Sequence, residues 1–181
     1  MIMKRTSLIV LAAIMVVASG FTASMLWNVS NEGLTINFEL PDEGTKGTLS
    51  GLKASIDFDQ KDPANSKISA SVDVKTLNTG NKQKDDHLLS ADFFNAEKYP
   101  VISFVSTSVK ATENGFLASG NLTMKDSTMA VEIPFTFKEE GNGGGAFHGS
   151  MTVHSGDFGV TKKSKSGKDK VVITLNVPVK K

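Results

Sequence analysis

His87 follows Asp85 and Asp86, the one place in the chain where a side chain that titrates near neutral pH adjoins carboxylates. A general base placed there needs a nucleophile or a metal ion to act on. The sequence contains no cysteine, so thiol chemistry has no reagent, and no Gly-x-Ser-x-Gly elbow, so a serine hydrolase has little support. The cluster therefore reads better as a polar network at a helix terminus than as a catalytic pair.

Other candidates fail on spacing. His148 and His154 fall on one face of a strand pattern with Ser150 and Thr152 between them. A rise of about 3.3 Å per residue puts them roughly 20 Å apart, too far to share an ion. Asp57, Asp59 and Asp62 resemble the start of a calcium loop, but Asp62 takes the glycine position and Ile68 stands where the closing glutamate belongs. Gly141 to Gly145 lacks the lysine and the strand-to-helix setting of a phosphate loop. Lys162, Lys163, Lys165, Lys168 and Lys170 make a basic patch that reads as a solvated loop beside the last strand. No metal and no cofactor is expected.

The N-terminus has the layout of a secretory signal peptide: Lys4-Arg5, an apolar run from Leu8 to Ala18, then Ala18-Ser19-Gly20. Its eleven apolar residues fall short of the ~20 that span a bilayer. Residues 1–20 are read as this signal, with cleavage after Gly20 or as late as Ala23. The expectation is a periplasmic or secreted protein with no stable membrane span after cleavage. Without Lys4 and Arg5 the chain has 18 basic against 19 acidic residues, with one Trp and one Tyr. That balance argues against nucleic acid, which needs a basic footprint with stacking aromatics.

The elements that must position any site are strands. Eight stretches alternate apolar and polar residues with a period of two. They run Leu34 to Leu40, up to Phe58 through Leu52, Ala54 and Ile56, Ile68 to Val74, Val101 to Val109, Phe116 to Leu122, Met129 to Phe137, Phe147 to Val153, and Val171 to Val179. Short polar links such as Asn114-Gly115 and Lys125-Asp126-Ser127 imply antiparallel neighbours. With no long amphipathic helix to cover them, the apolar faces must cover each other as a sandwich or a closed barrel. Only the barrel leaves an interior wide enough for a small ligand. From periodicity alone a filled core is the better reading of the Phe-rich and Met-rich rows.

One run breaks the strand pattern. It reads Thr79-Gly80-Asn81, Lys84-Asp85-x-His87-Leu88, Asp92-Phe93-Phe94-Asn95 and Lys98-Tyr99-Pro100, followed by Phe104 and Ser106-Thr107. With Gly51, Ile56-Asp57-Phe58-Asp59, Gly120-Asn121-Leu122-Thr123 and Asp157-Phe158-Gly159-Val160, this order closely resembles the YceI-like lipid/polyisoprenoid-binding family. Lys84 replaces the arginine of the family pattern, keeping the charge and losing the two-pronged hydrogen bonding. A basic residue is missing near Ser155-Gly156, and a histidine is missing between Leu34 and Gly51.

The resemblance implies an all-β fold over residues 27–181: an eight-stranded antiparallel lipocalin-like β-barrel with a short helical insertion around residues 83–95. It implies no enzymatic activity. The implied partner is a long-chain lipid or isoprenoid held in the lumen, by a carrier or sequestering protein, and a homodimer is compatible with it. The expected lumen lining is Phe38, Ile56, Phe58, Phe93, Phe94, Phe104, Phe116, Met129, Val131, Ile133, Phe135, Phe147, Met151 and Phe158. Lys84, Asp85 and His87 are expected to fix the polar side of the insertion. The alternative is a packed, ligand-free structural or stress-related module without enzymatic activity.

Overall fold

Alternation with a period of two dictates strands, and the computed structural model, which describes residues 25–181, has ten strand segments and one α-helix. The expected signal peptide lies outside the described residues. The segments are β1 (Leu26–Val29), β2 (Thr35–Leu40), β3 (Thr45–Leu49), β4 (Lys53–Asp57), β5 (Lys67–Asp73), α1 (Lys82–Leu89), β6 (Val101–Thr112), β7 (Gly115–Met124), β8 (Ser127–Glu139), β9 (Gly144–His154) and β10 (Lys170–Lys180). Among the described residues no helix is long and apolar enough to cross a membrane.

The sheet closes into an eight-stranded antiparallel barrel. Its order is β1-β4-β5-β6-β7-β8-β9-β10, and β10 returns to β1 through Asn28 opposite Lys180 and Val29 opposite Val179. The two further segments are parts of barrel strands already counted. β2 pairs with the first half of β10, from Glu39 opposite Val172 to Thr35 opposite Asn176, so β1 and β2 share one edge of β10. β3 and β4 are likewise two lengths of one strand, broken at Gly51, whose φ of +71° suits a residue without Cβ. Asn176 Nδ2 donates to Gly33 O at 2.7 Å and Ser30 N–H to Pro178 O at 2.8 Å, bridging the gap between β1 and β2.

The ends of the barrel differ. The loops 58–66, 113–114 and 140–143 lie at one end. The hairpin 41–44, the long 74–100 connection carrying α1, the turn 125–126 and the loop 155–169 gather at the other, which forms the mouth. Near the first end the interior is packed with aromatic rings around Phe58, which is 1% exposed. Phe116, Phe135, Phe137 and Phe147 meet Phe58 edge-on with ring centroids 5.0, 5.6, 5.3 and 5.3 Å away. Trp27 donates Nε1–H to Phe58 O at 2.9 Å, so the polar atom of this ring is satisfied where it is buried.

One seam in the wall is incomplete. β8 and β9 pair from Glu139 opposite Gly145 up to Phe135 opposite Gly149. The next residue of β8 toward the mouth is Pro134, which has no N–H to offer a ladder. Beyond it β8 stays paired with β7 as far as Ser127, while β9 stays paired with β10 as far as His154.

The expected short helical insertion is present, with its α-helix over Lys82–Leu89 and turns after it. α1 begins at the Asn81 cap, whose side chain accepts from Lys84 N–H at 3.1 Å, and ends at Leu89. Residues 90–99 are successive turns in which Phe93 N–H and Asn95 N–H both donate to Ser90 O, and Asn95 has a left-handed φ of +49°.

A substitution of Phe58 by Ala removes the ring at the centre of this cluster. The expected loss is about 3–5 kcal/mol in equilibrium urea unfolding, and a loss below about 1 kcal/mol would show that the cluster is not a packed core.

Candidate ligand-binding cavity

Between the aromatic cluster and the mouth the barrel is not filled. A cavity of about 240 Å³ occupies the space. Strand alternation builds its wall: Ile36, Phe38 and Leu40 of β2, Ala54 and Ile56 of β4, Ile68, Ala70 and Val72 of β5, Phe104 of β6, Ala118, Leu122 and Met124 of β7, Met151 and Val153 of β9, and Ile173, Leu175 and Val177 of β10. Phe135 and Phe147 form its floor, and Leu77, Leu88, Phe94 and Val160 cap it at the mouth. Of 33 lining residues only Ser71, Ser103, Ser155 and Thr161 have polar side chains, and none is charged. Such a wall accepts apolar chain and offers a buried charge no partner.

Eight of the expected lining residues are in this wall: Phe38, Ile56, Phe94, Phe104, Ile133, Phe135, Phe147 and Met151. Phe58 and Phe116 lie below it, in the aromatic cluster, because alternation gives the face of a strand but not the depth along the barrel. Phe93 points the other way from Phe94 and packs its ring edge-on against His87, with centroids 4.6 Å apart. Phe158 is buried at 2% exposure in the turn Ser155–Phe158, outside the cavity wall. Met129 and Val131 belong to the length of β8 beyond Pro134, where no ladder pair joins β9, and Met129 is 37% exposed. Most of the lining residues not expected from the sequence are aliphatic or alanine; those on strands carried the same alternation that marked the phenylalanines, whereas Leu77, Leu88 and Val160 come from connections and carried none.

The polar residues of the insertion are structural ties. Asp85 Oδ1 accepts from Thr79 N–H at 2.8 Å and from Thr79 Oγ1 at 2.6 Å. Lys84 Nζ donates at 3.0 Å to Oγ1 of the buried Thr45, which pins α1 to the β2–β3 hairpin. His87 is exposed, and of the two carboxylates a catalytic pairing could use, Asp85 is turned toward Thr79 and Asp86 pairs with Lys82 at 2.8 Å.

The sequence profile of the YceI-like domain matches residues 27–179. This chain belongs to the YceI-like family. Among its relatives, a UPF0312 protein of Serratia proteamaculans is 28% identical over 185 residues, which cover 97% of this chain and 96% of that one. Among solved structures, BcnA of Burkholderia cenocepacia superposes with a TM-score of 0.75 at 23% identity, covering 83% of this chain and 99% of that one. A polyisoprenoid binding domain from Saccharophagus degradans, implicated in plant cell wall breakdown, superposes with a TM-score of 0.63 at 9% identity, covering 85% and 97%. These structural likenesses concern the barrel.

In this YceI-like barrel the 155–169 loop at the mouth is held by one buried carboxylate. Asp169 Oδ1 lies 3.1 Å from His154 Nδ1, Oδ2 accepts from Ser164 N–H at 3.3 Å, and Asp169 O accepts from Ser155 N–H and Ser155 Oγ. Burial alone would raise this carboxyl, but the hydrogen bonds from His154 and Ser164 outweigh it and hold the group below its ordinary 3.8. The folded state thus binds fewer protons here than the unfolded chain. The stability contributed by the carboxylate is complete above 3.8 and is lost as the pH falls through the lowered folded value. Asp169→Asn should lower the melting temperature at neutral pH and flatten the acid limb of a melting series run down to about pH 2. An unchanged acid limb would remove Asp169 from the anchoring of the loop.

Proposed function

We propose that this protein is an exported binding protein that holds a long apolar lipid, isoprenoid or fatty-acid-like, as a carrier or sequestering protein. The observation that carries this reading is the uncharged, almost wholly apolar cavity between the aromatic cluster and the mouth. Its chemistry fits a chain whose affinity comes from area, at about 0.8 kcal/mol per buried CH₂. Membership of the YceI-like family supports the reading, as does the likeness of the barrel to a domain described as polyisoprenoid binding. Export rests on the leader pattern of Lys4-Arg5, the apolar run and the small residues after it.

The ligand would lie with its apolar end on Phe135 and Phe147 and its polar end toward the mouth. There the Ser155 and Thr161 hydroxyls, 2.7 Å apart, belong to the cavity lining, and the lysines of the 162–170 loop follow them in the same loop. No step in this reading requires His87. The cavity separates it from a fully packed barrel, whose inner positions would have no room to gain volume.

Ala54 and Ala70 face each other on β4 and β5 and line the cavity, so larger side chains there would occupy the proposed ligand volume. The Ala54→Phe, Ala70→Phe double variant should keep or raise the melting temperature and weaken binding of all-trans-retinol at least about tenfold, which is about 1.4 kcal/mol. Destabilisation by more than about 2 kcal/mol would instead indicate an already filled interior.

A further inference from the structure

The way into the cavity is not obvious from its cap. Leu77, Leu88 and Phe94 cover the mouth, and their segments are tied down by the Asp85–Thr79 and Lys84–Thr45 hydrogen bonds and by Val74 N–H donating to Pro100 O at 2.8 Å. The side wall is weaker. Opening a paired barrel wall requires breaking ladder hydrogen bonds, but between β8 and β9 that ladder stops at Phe135 opposite Gly149. Pro134 cannot extend it.

Exposure locates the window in the wall above this point. Leu122 and Met129 are opposite each other on β7 and β8 and so share a face of the sheet. Leu122 is 3% exposed and lines the cavity, whereas Met129 is 37% exposed. The inner face of the barrel therefore reaches solvent along the unpaired edge of β8. The turn Ser155–Phe158 packs against β8, and its Phe158 ring is buried in the apolar cluster that includes Ile133 and Val153, both in the cavity wall. Above it, Lys125 Nζ donates to Phe93 O and Gly159 O, each at 2.6 Å, clasping the β7–β8 turn to the two neighbouring mouth segments.

We propose that the lipid enters and leaves sideways, through the window between β8 and β9, with Phe158 as its door and Met129 and Val131 as its sill. The window is bounded below by Pro134 and Gly149 and above by the Lys125 clasp. It also supplies room for the part of a long chain that the cavity of about 240 Å³ does not hold, since ligand pockets commonly have ~300–1,000 Å³. The inference rests on the lipid-binding reading above and adds to it the route and three residues that set the rate of exchange.

The chain has no cysteine, so a reducible tether can be placed without background. Glu132 and Thr152 are exposed on the outer face of the two parted strands. Glu132→Cys and Thr152→Cys, bridged by a bis-thiosulfonate, should slow stopped-flow uptake of all-trans-retinol at least tenfold and recover on reduction. A bridge across the mouth, between Thr45→Cys and Lys84→Cys, should leave the rate unchanged. Phe158→Ala should speed uptake severalfold. Uptake at the untethered rate with the window bridged, or slowing by the mouth bridge alone, overturns the window while leaving lipid binding in place. Failure of the unmodified protein to take up retinol at all overturns both.

Discussion

Eight antiparallel strands that are each apolar on one side must cover that side, and in this chain they can do so only against one another. α1 has eight residues, none buried, and it contributes Leu88 to the cavity cap without covering a sheet face. Closure of β10 onto β1 solves the covering problem for the backbone edges as well as for the side chains. What closure does not settle is how the enclosed space is filled. Near one end, aromatic rings crowd around Phe58 until no space remains, while toward the mouth alanines and aliphatic residues stop short of the axis. The division between packed core and cavity follows from side-chain size along each strand: Phe137, Phe135 and Ile133 of β8, or Phe116 and Ala118 of β7.

The mouth is built on a different principle. Its cap is made of connections, and connections lack the ladder that holds strands, so each is tied by individual polar contacts. Asp85 ties the start of the insertion, Lys84 ties α1 to Thr45, Asp169 ties the 155–169 loop and Lys125 joins three segments at once. These residues explain why charged side chains gather beside an apolar cavity without entering it. They also make the family pattern intelligible in physical terms: Asp85 and the Asp157-Phe158-Gly159-Val160 stretch belong to the parts that hold and close the container.

Much of this was legible in the sequence, and the limits are instructive. Alternation gave the inward residues of β2, β4, β5 and β7–β10, but not of β6, where a register shift between Ser106 and Ser108 leaves Val101 and Val105 outside and Val109 inside; nor could it distinguish a sandwich from a barrel, which the ordered motif from Thr79 to Thr107 did. β1 escaped notice because four residues are too few to show a period, though Trp27 is 3% exposed. Phe93 and Phe94 are adjacent in a turn, so their side chains diverge, and only Phe94 reaches the cavity. Depth along the barrel axis left no trace in the alternation, hence Phe58 and Phe116 were expected in the lining and lie below it. Met129 and Val131 were placed on the correct face, but a proline in the middle of the strand was the signal that the wall is unzipped beside them.

The most direct measurement is solvent extraction and mass spectrometry of the protein purified without detergent from the cells that produce it. The account predicts a near-stoichiometric long-chain lipid, lost from the variant whose cavity is filled at Ala54 and Ala70. A protein that releases no lipid, and takes none up when one is offered, would contradict it.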